Sequence, residues 1–190
     1  MENQLSQSER KFLLTLARNM IVSAVKGLNP PALEKDLLTP ALSTIGASFV
    51  TLTIRGELRG CIGSLEGHQP LFEDVMEHAV QAALEDYRFP PVSEKEISAI
   101  KIEISRLTAP VPVSYKAPMD ILTVVHAPHD GVILKDGFRR ATFLPQVWSQ
   151  LPDLDDFLSH LCAKMGASSD LWRRKVLEVS IYHVEEFAEE

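Results

Sequence analysis

The chain has 190 residues, of which 45% are hydrophobic and 24% charged, with a net charge of −7. That length suffices for one domain with a real core, and the composition is that of a globular protein. An acidic chain without a run of Lys or Arg argues against a nucleic-acid partner, and nothing approaches the roughly 18 consecutive apolar residues of a membrane span.

The first residues, MENQLSQSERKFLL, are acidic and polar where a secretion signal needs a basic start and an apolar core. Cys61 and Cys162 lie far apart and form no motif together, so they read as reduced thiols of a cytoplasmic protein. Ser6 to Glu9 has capping-box spacing, and Phe12, Leu13, Leu16, Met20 and Ala24 follow at helical intervals. Gly27, with Pro30 and Pro31 beyond it, predicts the stop. A Pro-rich connector fills residues 28–46.

Ser48 to Ile54 and Glu57 to Ile62 predict a β-hairpin turning at Arg55-Gly56. A two-residue turn sets Ile54 opposite Glu57, Leu52 opposite Arg59 and Val50 opposite Cys61; the other face then carries Phe49, Thr51, Thr53, Leu58 and Ile62. Arg is not the preferred first residue of such a turn, and a bulge would shift that register. Pro70 opens a second helix, Leu71 to about Tyr87, which RFPPV (Arg88 to Val92) ends. Ile100, Ile102 and Ile104 alternate with polar residues as a half-buried strand. Residues 131–134 and 140–144 predict a second hairpin turning at Asp136-Gly137. Two helical segments follow, Pro145 to Gln150 and Asp153 to Met165 with Gly166 as its stop, and then a strand, Val176 to His183, returning to the main sheet. Glu185, Glu186, Glu189 and Glu190 read as a solvated acidic tail. The mixture has no βαβ rhythm, so the class is α+β, a mainly antiparallel sheet flanked by helices.

Five segments carry a resemblance to a known family: LRGCIG (Leu58 to Gly63), LEDYRFPPVSEKEI (Leu84 to Ile97), IEISRL (Ile102 to Leu107), HDGVIL (His129 to Leu134) and ATFLPQVW (Ala141 to Trp148). In this order they resemble the AMME-syndrome candidate-gene domain, called AmmeMemoRadiSam system protein A in prokaryotes, over roughly residues 10–188. The resemblance implies a single AMME-type domain over residues 1–190 with two unequal lobes. The larger would come from the two chain ends and the smaller from the middle region, with LRGCIG near their junction. It also implies a Memo-like protein and a radical S-adenosylmethionine enzyme as pathway partners. It carries over no established reaction.

Cys61 admits two readings. In the first it is a reactive thiol, with Gly60 and Gly63 stripping side chains so that a substrate comes close, and Arg59 as its charge partner. In a regular strand Arg59 stands about 7 Å away on the same face, and at an effective dielectric near 20 its charge stabilises a thiolate by roughly 2.4 kcal/mol. In the second, Cys61 is a small hydrophobe filling a sheet, and the glycines permit a bulge or a close helix crossing. No histidine stands in a relation that makes it the base of a Cys-His hydrolase; His68, His78 and His183 read as surface or packing residues. Arg88 is an anion anchor or the partner of Asp86 or Glu85. His126, His129 and Asp130 have ligand chemistry but lie in a loop that fixes no geometry, so no metal is assigned. With no phosphate-binding glycine loop, CxxC or GxSxG, no cofactor is indicated. Two functions remain: a thiol-dependent enzyme or carrier acting on a small molecule or peptide, and a non-catalytic module that binds or positions the two partners.

Overall fold

A computed structural model describes residues 4–30 and 32–190; residues 1–3 and Pro31, the second proline expected after the first helix, lie outside the described residues. The fold is α+β, with two antiparallel sheets and several helices. The chain divides into two compact units, Met1–Leu107 with Glu185–Glu190, and Thr108–Val184.

In the first unit, α1 (Gln7–Val25) starts on the predicted capping box, in which Ser6 and Glu9 satisfy each other's backbone N–H groups. Gly27, at φ 63°, follows its last turn. The Pro-rich connector contains a short α2 (Pro40–Ser43), capped by the Thr39 side chain. The sheet has the order β2 (Glu57–Gly63), β1 (Ile45–Ile54), β4 (Ile100–Leu107), β9 (Val184–Ala188), with the two-residue β3 (Gln69–Pro70) also on β1. α3 (Leu71–Leu84) stops three residues earlier than predicted, and Val92 N–H then bonds back to Ala83 O. Leu13, Leu16 and Ile21 of α1, Val75, Ala79 and Ala82 of α3, and Val50, Leu52, Ile100, Ile102 and Ile104 of the sheet form one buried cluster.

The second unit holds the sheet β5 (Val111–Val113), β8 (Glu178–Tyr182), β6 (Gly131–Asp136), β7 (Arg139–Phe143), with α4 (Leu154–Lys164) and α5 (Leu171–Arg174). Its core is aromatic: Trp148 stacks on Phe157 at 3.7 Å between ring centroids, and Phe143 meets Phe157 edge-on. Residues 145–149 form a 3₁₀ turn, and the hairpin turns at Gly137 and Phe138.

Two expectations are corrected at the C-terminus. The strand expected over residues 176–183 does not return to the main sheet: β8 pairs with β5 and β6, and its Val179 packs into the aromatic core. The segment read as an acidic tail begins within β9, the strand that does join β4, and runs two residues past its end. Its glutamates are used: Glu185 receives Leu5 N–H and pairs with Arg10 and Arg106, and Glu189 pairs with Arg18 and accepts Ile102 N–H. Among the described residues, no helix is long and apolar enough to cross a membrane.

Candidate functional site

The predicted hairpin turns at Arg55 and Gly56, both at positive φ (55° and 84°), as a two-residue hairpin turn demands. Ile54 pairs with Glu57 and Thr53 with Leu58, and then the register slips: Leu52 pairs with Gly60 and Thr51 with Cys61. Arg59 is the extra residue of a β-bulge. A one-residue slip reverses every later side chain, so Cys61 moves from the Val50 face to the face of Phe49, Thr51 and Leu58, turned away from α3, and Ile62 moves the other way. Gly60 now faces α3, where a Cβ would run into the carbonyl oxygen of Ala82. A Cβ on Gly63 would strike the Phe49 ring and Ser48 O. Both glycines are accounted for by close packing inside the unit, the first by the helix crossing.

β2 is the edge strand beyond β1, so Cys61, paired with Thr51, directs its N–H and C=O off the sheet. The loop after α3 meets both groups. Asp86 Oδ2 accepts Cys61 N–H at 2.8 Å, and Arg88 donates to Cys61 O at 3.1 Å. The two side chains join through Arg88 Nε to Asp86 Oδ1 (2.9 Å) and Arg88 Nη2 to Asp86 Oδ2 (2.7 Å). The Asp86 carboxylate is 2% exposed. The Arg88 guanidinium, foremost, and the Cys61 and Arg88 amides hold its pKa well below the usual carboxylate range against the cost of burial. The pKa of Arg88 is raised, chiefly by Asp86; the Cys61 thiol is among the further groups that favour its charge. The thiol is half-buried, and the Thr51 hydroxyl donates to Sγ at 3.3 Å.

Arg59 goes elsewhere. Its Nε and Nη2 bond Glu96 at 2.7 and 3.3 Å, and Nη2 also reaches Pro90 O. Arg59, first of all, with Ser93 amide and hydroxyl, lowers the pKa of Glu96 to about 2. The guanidinium carbons of Arg59 and Arg88 lie 5.9 and 5.6 Å from the centre of the Phe89 ring, so residues 86–96 are stapled to the strand by two arginines and one aromatic ring. The cation at Cys61 is therefore Arg88, whose own partner is Asp86, the ion pair foreseen as one reading of it.

The cross-strand row that contains Cys61 continues through Thr51 to Glu103 on β4. Desolvation, and after it the charge of Glu186, raises the pKa of Glu103. Sequence periodicity put Glu103 opposite the isoleucines; only the bulge puts Cys61 on its face. The histidines stay apart from the thiol. His78 Nδ1 stands 3.1 Å from Asp74 Oδ2, the buried carboxylate that also accepts the Ser48 hydroxyl. His183 Nε2 faces Asp130 in the second unit. His126, His129 and Asp130 make a loop held by backbone bonds to His126 O and by His126 N–H to Asp130, and among the described residues no cluster has metal-site geometry. Asp86, Thr51 and Glu96 were not singled out as site residues in the sequence. The carboxylate two residues before Arg88 was the one available signal.

Residues 14–187 match the AMMECR1 family model. A protein of Thermofilum pendens is 34% identical over 200 residues, covering 98% of this chain and 92% of its own. One from Methanothermobacter thermautotrophicus is 37% identical over 167 residues, covering 87% and 86%. The crystal structure of uncharacterized protein PH0010 from Pyrococcus horikoshii is similar with a TM-score of 0.76 and 32% identity, covering 94% of this chain and 90% of that one.

Proposed function

The chain belongs to the AMMECR1 family, and on that premise we propose that it works through Cys61, as a thiol-dependent enzyme or carrier acting on a small molecule or peptide. One observation supports this above all: a single ion pair, Asp86 with Arg88, holds both the amide and the carbonyl of the residue that bears the thiol. A cysteine that merely fills space needs no such clamp, and the outward groups of an edge strand can be left to water. Desolvating a carboxylate to hold one edge residue costs free energy, and its effect is to fix where Sγ stands. A fixed nucleophile is what attack along a defined path requires. Arg88 supplies the positive charge nearby, and Arg59 braces the loop that carries it. Gly60 lets α3 close on the strand behind the thiol. In the same proposal the Memo-like protein and the radical S-adenosylmethionine enzyme deliver or receive the group that Cys61 carries, in the cytoplasm.

The test is alkylation of native Cys162→Ala protein with iodoacetamide. Modification of Cys61 faster than that of free cysteine at pH 7 is the expected result. Modification only on unfolding would make Cys61 a packing residue, and the non-catalytic binding or scaffold role would replace the proposal.

A further inference from the structure

The Pro-rich connector builds a second feature, on the other side of the sheet from the thiol. α1 shares its core with α3, whereas Cys61 is turned away from α3. The connector leaves α1 at Gly27 and returns to its first turn, where the Thr39 hydroxyl donates to the Glu9 carboxylate. Between connector and helix lies a cavity of about 500 Å³. Phe12 and Leu16, one turn apart on α1, form one apolar wall, and Leu33 and Leu37 form the other. Phe12 is half-buried and Leu37 is 51% exposed, so both walls keep apolar surface open to a ligand. Glu9 and Thr39 also line the cavity, and their bond ties the two walls together.

We propose that this cavity binds a small amphipathic cation, an apolar ring or chain that ends in an ammonium group. The site contains neither Cys61 nor its clamp, so it stands apart from the thiol reading and its ligand is not the group that Cys61 acts on. The size is that of a small-molecule site, which spans roughly 300–1,000 Å³. The apolar body displaces water from Phe12, Leu16, Leu33 and Leu37, and that burial supplies most of the affinity.

The polar residues of the cavity choose the end group. Among the described side chains three carboxylates, Glu9, Glu34 and Asp36, line it against one ammonium, Lys11. Glu9 is engaged by Ser6 and Thr39, which keep it ionised. Among the described residues, the Glu34 and Asp36 carboxylates have no hydrogen-bond or ion-pair partner. A bound ammonium therefore pairs with them without breaking an existing contact. A carboxylate in its place meets like charge, and a neutral end group gains burial alone.

The experiment titrates the protein with three molecules that share an apolar body and differ in the end group: phenylbutylamine, phenylbutanol and phenylbutanoate. Amide NMR shifts of α1 and the connector read the affinities. We expect the amine to bind about three- to tenfold more tightly than the alcohol, as two partly exposed ion pairs allow, and the carboxylate to bind least. Glu34→Gln with Asp36→Asn should bring the amine to the level of the alcohol and leave the alcohol unchanged. Glu57→Gln with Glu94→Gln removes the same charge away from the cavity and should leave the amine unchanged. Asn19→Trp, on the cavity side of α1, should fill the space and weaken amine and alcohol alike. All five substituted residues are exposed, so the fold is kept. Equal affinity of amine and alcohol, or equal weakening by the Glu57 and Glu94 changes, would overturn the choice of a cation. Amine binding that Asn19→Trp leaves unaltered would place the ligand elsewhere, and no shift of any amide at millimolar amine would leave no site at all.

Discussion

The chain's two thiols occupy opposite kinds of place. Cys162, on α4, is fully buried in the aromatic core of the second unit, and desolvation pushes its pKa up. It is a small hydrophobe with its chemistry suppressed. Cys61 is half-buried on an edge strand, beside a bulge, with its backbone held by a buried ion pair and a hydroxyl on its sulfur. Filling a core takes only volume. Holding one residue of an edge strand takes a desolvated carboxylate, a guanidinium and a loop pinned further along by Arg59 and Phe89. The contrast separates a cysteine that stabilises the fold from one that the fold is arranged around.

The largest expected effect is on labelling. In native protein the alkylation of Cys162 must wait for its unit to open, so with ordinary stability it proceeds about 10³-fold or more behind Cys61. Peptide mass spectrometry on a timed series reads both sites at once. Comparable rates would erase the distinction.

The next test adds or removes a single small group on either side of the comparison. Gly60→Ala forces a methyl against the backbone carbonyl of Ala82, which no rotamer relieves, and we expect a loss of about 3 kcal/mol, the upper end for overpacking. Cys162→Ala removes one buried atom from a core that can partly close over it, at a cost of about 1 kcal/mol. Urea melts of the two variants give the difference directly. If Gly60→Ala were the milder change, the helix crossing would not be what requires glycine there.

The same glycine shows where the sequence was readable. The hairpin, its turn, the capping box and the isoleucine strand were all legible, because each is written in local periodicity or turn chemistry. The pairing of Cys61 was not. A bulge inserts a single residue, and nothing local decides whether Gly60 continues a strand or relieves a close approach; α3 decides it, from well beyond the hairpin. Once Arg59 is taken out of register it bonds Glu96, and the expected charge pair gives way to Arg88. The acidic segment at the C-terminus was misread for a related reason. Glu185 and Glu189 look solvated until Arg10, Arg18 and Arg106 are brought beside them by elements far away in the chain.

A third test touches the clamp and leaves the core alone. Asp86→Asn keeps the shape but removes the charge that pairs with Arg88, and an amide cannot accept all the bonds that the two carboxylate oxygens accept. We expect a loss of about 2 kcal/mol, below the figure for a fully buried pair because Arg88 reaches solvent. The alkylation rate of Cys61 should change with it and that of Cys162 should not. A stability loss with unaltered Cys61 kinetics would mean that the clamp is structural only.

The smallest effect concerns the brace, and its sign follows from titration. Glu96 has a pKa of about 2 in the folded chain, below its ordinary value, because Arg59 and Ser93 favour the carboxylate. A depressed pKa contributes stability that is fully present above the unfolded value and is lost as pH falls through the folded one. Glu96→Gln should therefore cost about 1 kcal/mol at pH 6, a figure reduced by the exposure of this pair, and the gap to the parent should close between about pH 4.5 and pH 2. Urea midpoints of the two proteins over that range test it. A gap that persists at pH 2 would assign the brace to neutral hydrogen bonds and packing on Phe89, with the charge of Glu96 contributing nothing. A gap that closes would make the loop that holds Cys61 looser in acid, and the alkylation of Cys61, corrected for thiolate fraction, would then depart from that of a free thiol over the same interval.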